Sequence, residues 1–347
     1  MLGRVFAPLD GAAHPGDLLA RALTGLGDLA HGLEQVAWRA RGRGWRRYRT
    51  RTFYLFAAPW ILGFLVLTVV PVGFALITSF TNYDGQSPNW RFVGMRNYIE
   101  LFTKDPEAWE SLLRTLMYTV IVVPLSVLGG LALAILVNRR IRARGVVRAI
   151  FFVPSVVPVV AVAIMWRLIF NRDAGLLNGI IELFGGPGNT TWLADPYAFY
   201  ALIVMTLWGL GGGMIIILAA LQDVPVELEE AARLDGAGPF RVIRTITIPM
   251  ISPVLYFQVV TGVIASLQVL VQPMLLAETN GMAQTANIPN SSTLYMVQVY
   301  NEFFLYNRFG YGTAMLWIFF VFILALTLLL QNLSKRFVYY QVGVDQE

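Results

Sequence analysis

Six long apolar runs, separated by shorter polar stretches, dominate the pattern of this sequence. The runs cover residues 53–79, 115–137, 149–170, 198–221, 250–276 and 312–333. Each run has at least the roughly 20 residues with which a helix crosses a hydrocarbon core of about 30 Å. The apolar residues are continuous, so each segment must satisfy its backbone hydrogen bonds internally, as a helix does. The pattern predicts an all-α membrane protein with six transmembrane helices.

Composition agrees with a chain that folds in a bilayer. Of its 347 residues, 56% are hydrophobic and 14% are charged, and the mean hydropathy is +0.61. Such a chain has too few polar residues to cover a soluble globule of this size. It has no cysteine, which excludes disulfides and thiolate metal sites. The first run begins only at Phe53, behind a basic stretch, so we expect it to remain as a signal anchor.

The arginine distribution predicts the orientation in the membrane. Most basic residues lie in the N-terminal segment, in the loop between the second and third runs, in the stretch before the fifth run and in the C-terminal tail. The positive-inside rule places these segments, and therefore both termini, in the cytoplasm. The loops of the opposite face, residues 80–111, 171–197 and 277–311, are too short for an independent domain. The pI near 9.5 then reflects topology, and nucleic acid is not an expected partner.

The two ends of the chain are predicted to lie outside the transmembrane domain. Residues 1–52 carry a stripe of leucines that ends in an arginine cluster, which indicates either an interfacial amphipathic helix or a partly disordered leader. Residues 53–334 form the six-helix domain and residues 335–347 a cytoplasmic tail.

One polar segment, residues 222–249, interrupts the apolar pattern and reads "DVPVELEEAARLDGAGPFRVIRTITIP" from Asp223. Pro225 suits the first position of a helix, and the glutamates that follow favour its positive end. The pair Asp235 and Gly236 predicts the end of that helix and a turn. Pro239 can begin a second helix that ends at Pro249, at the entry to the fifth run.

The polar segment resembles the EAA loop of ABC importer permeases. The matching spacing is Glu230-Ala231-Ala232, then Gly236 after three residues, then Ile246-x-Ile248-Pro249 after nine. Across roughly residues 53–340, the strings "FVGMRNYIELF", "FFVPSVVPVVAVAIMWRLIFN", "WLADP" and "FGYGTAM" resemble the first permease subunit of carbohydrate importers of the maltose and glycerol-phosphate type.

This resemblance implies a type I importer permease in a bacterial cytoplasmic membrane, working by alternating access. It implies four kinds of partner: a second homologous permease, two ATPase subunits, an extracytoplasmic solute-binding protein and the lipid membrane. The chain itself would be no enzyme and would hold no cofactor, because the ATPases bind ATP and Mg²⁺. The polar segment would dock on an ATPase, with Glu230 and Asp235 as polar contacts, Ala231, Ala232 and Ala237 as close-packing positions and Gly236 as the turn.

Polar residues inside the runs are candidates for a solute pathway. Gln258, Gln268 and Gln272 lie in the fifth run, and the last two are one helical turn apart. Their amides either hydrogen-bond sugar hydroxyls or link helices, and Trp208 either stacks on a sugar ring or packs against protein.

Two alternatives belong to other classes of protein. An ion-coupled secondary transporter is expected to carry intramembrane carboxylates, and the six runs contain no Asp or Glu. A membrane enzyme needs a catalytic cluster, whereas the two histidines, His14 and His31, lie in the leader and no phosphate-binding loop occurs. A permease for a non-carbohydrate solute remains the closest alternative.

Overall fold

A computed structural model describes residues 50–139, 143–277 and 288–338 of the chain. The helix predicted in the N-terminal leader lies outside these residues, as does most of the predicted C-terminal tail. The chain divides into two compact units, residues 1–73 and 74–347.

The described part of the first unit is helical. It contains α1 (Thr50–Phe64), a π-helical turn (Leu65–Val69) and the beginning of α2 (Val70–Thr78). Pro71 stands two residues beyond this turn. A proline ring clashes with the carbonyl four residues before it in a regular α-helix, and a widened turn relieves that clash.

The second unit is also helical, and its described residues form no strand beyond a single bridge between Thr81 and Phe92. Its helices are α3 (Arg96–Thr103), α4 (Pro106–Asn138), α5 (Arg144–Val156), α6 (Val159–Ile169), α7 (Leu176–Leu183), α8 (Ala198–Leu207), α9 (Gly211–Gln222), α10 (Val226–Leu234), α11 (Pro239–Val242), α12 (Ile248–Leu267), α13 (Val271–Leu276), α14 (Tyr295–Phe304) and α15 (Phe309–Phe337). A second π-helical turn, Ile243–Thr247, joins α11 to α12.

Five helical segments are long and apolar enough to cross a membrane, and a bent pair of helices makes a possible sixth crossing. The five are Phe53–Thr78, Pro106–Asn138, Ala198–Gln222, Pro239–Leu267 and Phe309–Lys335. They overlap five of the six apolar runs. The third run is not one helix, because α5 and α6 meet at an angle of 99°. Pro158 causes the break, since it cannot donate to the ladder and it keeps Val157 in an extended conformation.

The fifth run also differs from its prediction as one helix. It is interrupted between Leu267 and Val271, because the ring of Pro273 would clash with the carbonyl of Val269 in a continuous helix. The predicted end at Pro249 is wrong as well, because the helical path continues from α11 through the π-helical turn into α12.

Contacts within the second unit define two ends of the helix bundle. At one end, Val137, Val224 and Ile251 share a buried apolar cluster, so the loop after α4 and the polar segment lie together. At the other end the connecting loops are tied to one another. There the Asp195 carboxylate accepts hydrogen bonds from the backbone N–H groups of Asn290 and Ser291, at 3.0 and 2.9 Å.

Candidate functional site

The polar segment folds into a short helix, α10, whose two ends are fixed by local chemistry. Pro225 occupies the N-cap, and Glu227 and Glu229 stand in the first turn, where the helix dipole stabilises negative charge. The structure thus contains the first helix that the sequence predicts, with Pro225 one position earlier than expected.

The C-terminal end of α10 is a Schellman turn that requires glycine. The Gly236 N–H donates to the Arg233 carbonyl at 3.0 Å, and the Ala237 N–H donates to the Ala232 carbonyl at 2.9 Å. Gly236 has φ +83°, in the left-handed region that residues with a Cβ rarely adopt. The prediction of a tight turn at Asp235 and Gly236 is therefore confirmed.

Most of α10 faces away from its own chain. Glu229 and Ala232, three residues apart on one face, are half-buried, and the other seven residues of the helix are exposed. Glu230, Ala231, Asp235 and Gly236 are among the exposed residues, so they are open to a partner, while Ala232 and Ala237 are partly covered.

Two large apolar side chains beside this helix are also exposed. Leu234 is 89% exposed and Phe240 is 76% exposed. Exposed apolar side chains of this size favour contact with another protein or with a membrane. The sequence alone gives no sign of which apolar residues the rest of the chain leaves uncovered.

A second candidate site is a cavity of about 270 Å³ inside the bundle. It lies between α4, the α8–α9 segment and α12, and all of its lining residues are described. They are Tyr118, Val122, Val123, Ser126, Val127, Thr206, Gly209, Leu210, Gly213, Ile217, Gln258, Gly262, Ala265, Ser266, Val269 and Gln272. None of these side chains carries a charge, so the cavity suits a neutral polar solute better than an ion.

The polar groups of the cavity come from different helices. The hydroxyls of Tyr118 and Thr206 are hydrogen-bonded at 2.8 Å, and the Gln258 amide donates to the Gly213 carbonyl at 3.2 Å. Each of these groups keeps further hydrogen-bonding capacity, which a solute hydroxyl can use. The sequence reasoning missed Tyr118 and Thr206, because single hydroxyl groups in apolar runs are common and only the fold brings these two together.

Of the four predicted pathway residues, two line the cavity and two do not. Gln258 and Gln272 are lining residues. Gln268 is exposed and caps the end of α12, whereas Gln272 lies in α13. The two residues are therefore not one turn apart on a single helix, which is what the sequence predicted. Trp208 packs against the apolar cluster around Leu202 and meets Trp166 edge to face, with ring centroids 6.4 Å apart.

A glycine at the start of α9 allows two helices to pack closely. A Cβ built on Gly211 would lie 1.7 Å from the Phe151 carbonyl oxygen of α5. The α5 backbone therefore approaches α9 more closely than any side chain at this position would permit.

The sequence matches known membrane transport proteins over most of its length. The family model for binding-protein-dependent transport system inner membrane components matches residues 126–339. A probable ABC transporter permease of Bacillus subtilis, YesP, is 33% identical over 83% of this chain and 92% of its own length. The trehalose/maltose transport system permease MalF of Thermococcus litoralis is 31% identical over 81% of this chain and 93% of its own length.

The fold matches a solved transporter. A chain of a bacterial alginate ABC transporter, crystallised in complex with an alginate pentasaccharide-bound periplasmic protein, superimposes with a TM-score of 0.72. The match covers 88% of this chain and 99% of that one at 20% sequence identity, which supports a common fold.

Proposed function

Because this chain belongs to the family of binding-protein-dependent transport system inner membrane components, we propose that it forms half of the pathway of an ATP-driven importer for a sugar or sugar-like solute. The observation that carries this proposal is α10, a short helix held by a glycine turn and exposed on most of its surface at one end of the bundle. The rest of the described chain leaves most of the helix uncovered, so its surface is available to a partner protein.

Four partners complete the proposed importer. They are a second homologous permease in the same bacterial inner membrane, two ATPase subunits on its cytoplasmic side and an extracytoplasmic binding protein. The family description names binding-protein dependence, and the alginate transporter was crystallised with a periplasmic protein, which supports this set. In this proposal the permease is not catalytic, and ATP and Mg²⁺ are held by the ATPases.

The polar segment, residues 222–249, is the proposed ATPase-docking element. Glu230 and Asp235 supply polar contacts at exposed positions, and Ala231 allows a close approach. Ala232 and Ala237 take the same close-packing role at the edge of the contact. Exposed Leu234 and Phe240 add apolar area to it.

The cavity is the proposed stretch of solute pathway in this subunit. Its uncharged lining and its hydroxyl and amide groups fit a polyhydroxylated solute. Gln258 and Gln272 are the proposed contacts within it, while Gln268 and Trp208 act beside it. A non-carbohydrate solute is the second candidate, and ligand binding by the partner binding protein decides between the two.

Reconstitution tests the proposal as a whole. We expect solute uptake into liposomes only when this chain, the second permease, the ATPases, the loaded binding protein and ATP are all present. The isolated chain is expected to hydrolyse no ATP. Concentrative uptake by this chain alone, without ATP, would contradict the proposal.

The proposed topology has six crossings, with the bent pair α5 and α6 as one of them, and both termini in the cytoplasm. Residues 1–52 form the leader, residues 53–334 the transmembrane domain and residues 335–347 the tail. We expect reporter fusions after Ser87 and Asn290 to be extracytoplasmic and fusions after Asp235 and Glu347 to be cytoplasmic, because the arginine clusters set the orientation. An extracytoplasmic signal at Asp235 would remove α10 from the ATPases and defeat the docking role.

A further inference from the structure

One side-chain contact joins α10 to the helix that enters the membrane. The Thr247 hydroxyl donates to the Glu229 carboxylate at 3.2 Å. Thr247 is 5% exposed, and Glu229 is one of the two residues of α10 that its own chain partly covers. The contact thus lies on the inner face of α10, opposite the face left open to a partner.

Thr247 lies at a point where the helix that enters the membrane can deform. Thr247 is the last residue of the π-helical turn Ile243–Thr247, and Pro249 stands two residues beyond it. The first π-helical turn has the same relation to Pro71, so in both places a proline accompanies the widened turn. A π-helical turn has weaker, longer-range hydrogen bonding than the α-helix around it, so it is a place where a helix can yield.

Beyond the turn, α12 runs directly to the cavity. Gln258, Gly262 and Ser266 of α12 line it. A displacement of α10 that is carried to Thr247 therefore reaches the cavity wall through one continuous helix. Without the contact, the deformable turn would absorb part of the displacement.

We infer that Glu229 and Thr247 form a clasp that makes α10 and α12 move together during the transport cycle. The inference rests on the proposed docking of α10 and adds two positioning residues to it. Neither residue touches the cavity, and neither lies on the exposed face of α10. The clasp acts on how much solute moves for each ATP hydrolysed, and it does not act on docking itself.

The test compares threonine variants in the full importer, reconstituted in liposomes with its binding protein. Thr247→Val keeps the shape of the side chain but removes the donor, and we expect solute moved per ATP to fall about fivefold, as for loss of a typical intramolecular hydrogen bond. Thr247→Ser keeps a hydroxyl and should restore the wild-type ratio. Thr245→Val is the matched control, because Thr245 lies in the same turn, is exposed, and its hydroxyl donates to the Arg241 carbonyl at 2.7 Å and not to α10.

A double-mutant cycle isolates the pair. Glu229→Ala also removes the exposed ion pair of Glu229 with Arg233 at 3.2 Å, so it should lower the ratio at least as much as Thr247→Val, and the combined variant should lose no more than Glu229→Ala alone. All variants should assemble with the ATPases in wild-type amounts. A wild-type ratio in Thr247→Val, additive losses in the double variant, or failed assembly in Thr247→Val would each overturn the clasp.

The docking proposal has its own test, so the two can fail separately. Glu230→Ala, on the exposed face, should weaken assembly with the ATPases. If it does so while the Thr247 variants keep normal coupling, the clasp is wrong and the docking role stands. If Glu230→Ala and the clasp variants all behave as wild type, the docking role is wrong as well.

Discussion

Replacing Gly236 by valine is expected to abolish solute uptake while the protein still inserts into the membrane. Gly236 has φ +83°, and a β-branched residue held there costs about 1–3 kcal/mol. No atom lies within 4 Å of a Cβ built at this position, so the cost comes from backbone conformation and not from a clash. The turn relieves this cost by changing its backbone conformation, which reorients α10. Because a reoriented α10 no longer fits its ATPase, we expect uptake to fall more than about tenfold.

The neighbouring glycine supplies the control for this prediction. Gly238 also has open space around a built Cβ, but its φ is −70°, which any residue adopts. Gly238→Val should therefore retain most uptake, and Gly236→Asn should retain more than Gly236→Val, because asparagine tolerates the left-handed region. Uptake and binding-protein-stimulated ATP hydrolysis at wild-type levels in Gly236→Val would reduce the polar segment to a connector.

Replacing Gly211 by alanine is expected to cause a large loss of folded protein. The added methyl group would lie 1.7 Å from a backbone oxygen of Phe151, and a backbone group cannot turn aside as a side chain does. Helices α5 and α9 must then move apart, at a cost of about 3 kcal/mol. We expect a lower thermal unfolding midpoint in detergent and a several-fold smaller yield of monodisperse permease.

Gly212 tests whether the predicted loss of stability comes from the close contact at Gly211 or from placing any alanine at the start of α9. A Cβ on Gly212 would meet Ser155 at 3.4 Å, which is ordinary contact, so Gly212→Ala should fold as the wild type does. Equal stability of the Gly211→Ala and Gly212→Ala proteins would show that the close approach of α5 and α9 does not hold in the membrane.

Local chemistry explains which parts of this fold the sequence could predict. The ends of α10 follow from Pro225, from the first-turn glutamates and from Gly236, whose effects reach only a few residues. Five helices of membrane-spanning length overlap apolar runs, and these could be predicted from apolar length alone. These features depend on near neighbours along the chain, so they can be read without knowing the fold.

Prolines show where prediction from sequence stops. Pro154 lies inside α5, and Pro158, four residues later, separates α5 from α6. Pro253 lies inside α12, where the Ser252 hydroxyl bonds the Pro249 carbonyl that the proline leaves without its usual donor. Whether a proline is accommodated or breaks a helix depends on such contacts, which the order of residues alone does not give.

The same limit applies to the cavity. The sequence singled out Gln258 and Gln272, because an amide within an apolar run is unusual. It could not select Tyr118 and Thr206, whose hydroxyls meet across 88 positions of the chain. Pairs of this kind are products of helix packing.

The bend between α5 and α6 has a consequence for biogenesis. These helices have 13 and 11 residues, so each spans about 20 Å or less, and neither crosses a bilayer of about 30 Å alone. The backbone groups freed at Val157 and Pro158 cannot face lipid, and they need protein or water beside them. In the folded chain α6 packs on α13, which the ribosome makes about a hundred residues later. We therefore do not expect the third segment to enter the lipid as an independent helix, and its packing against α13 can form only after the last third of the polypeptide has been made.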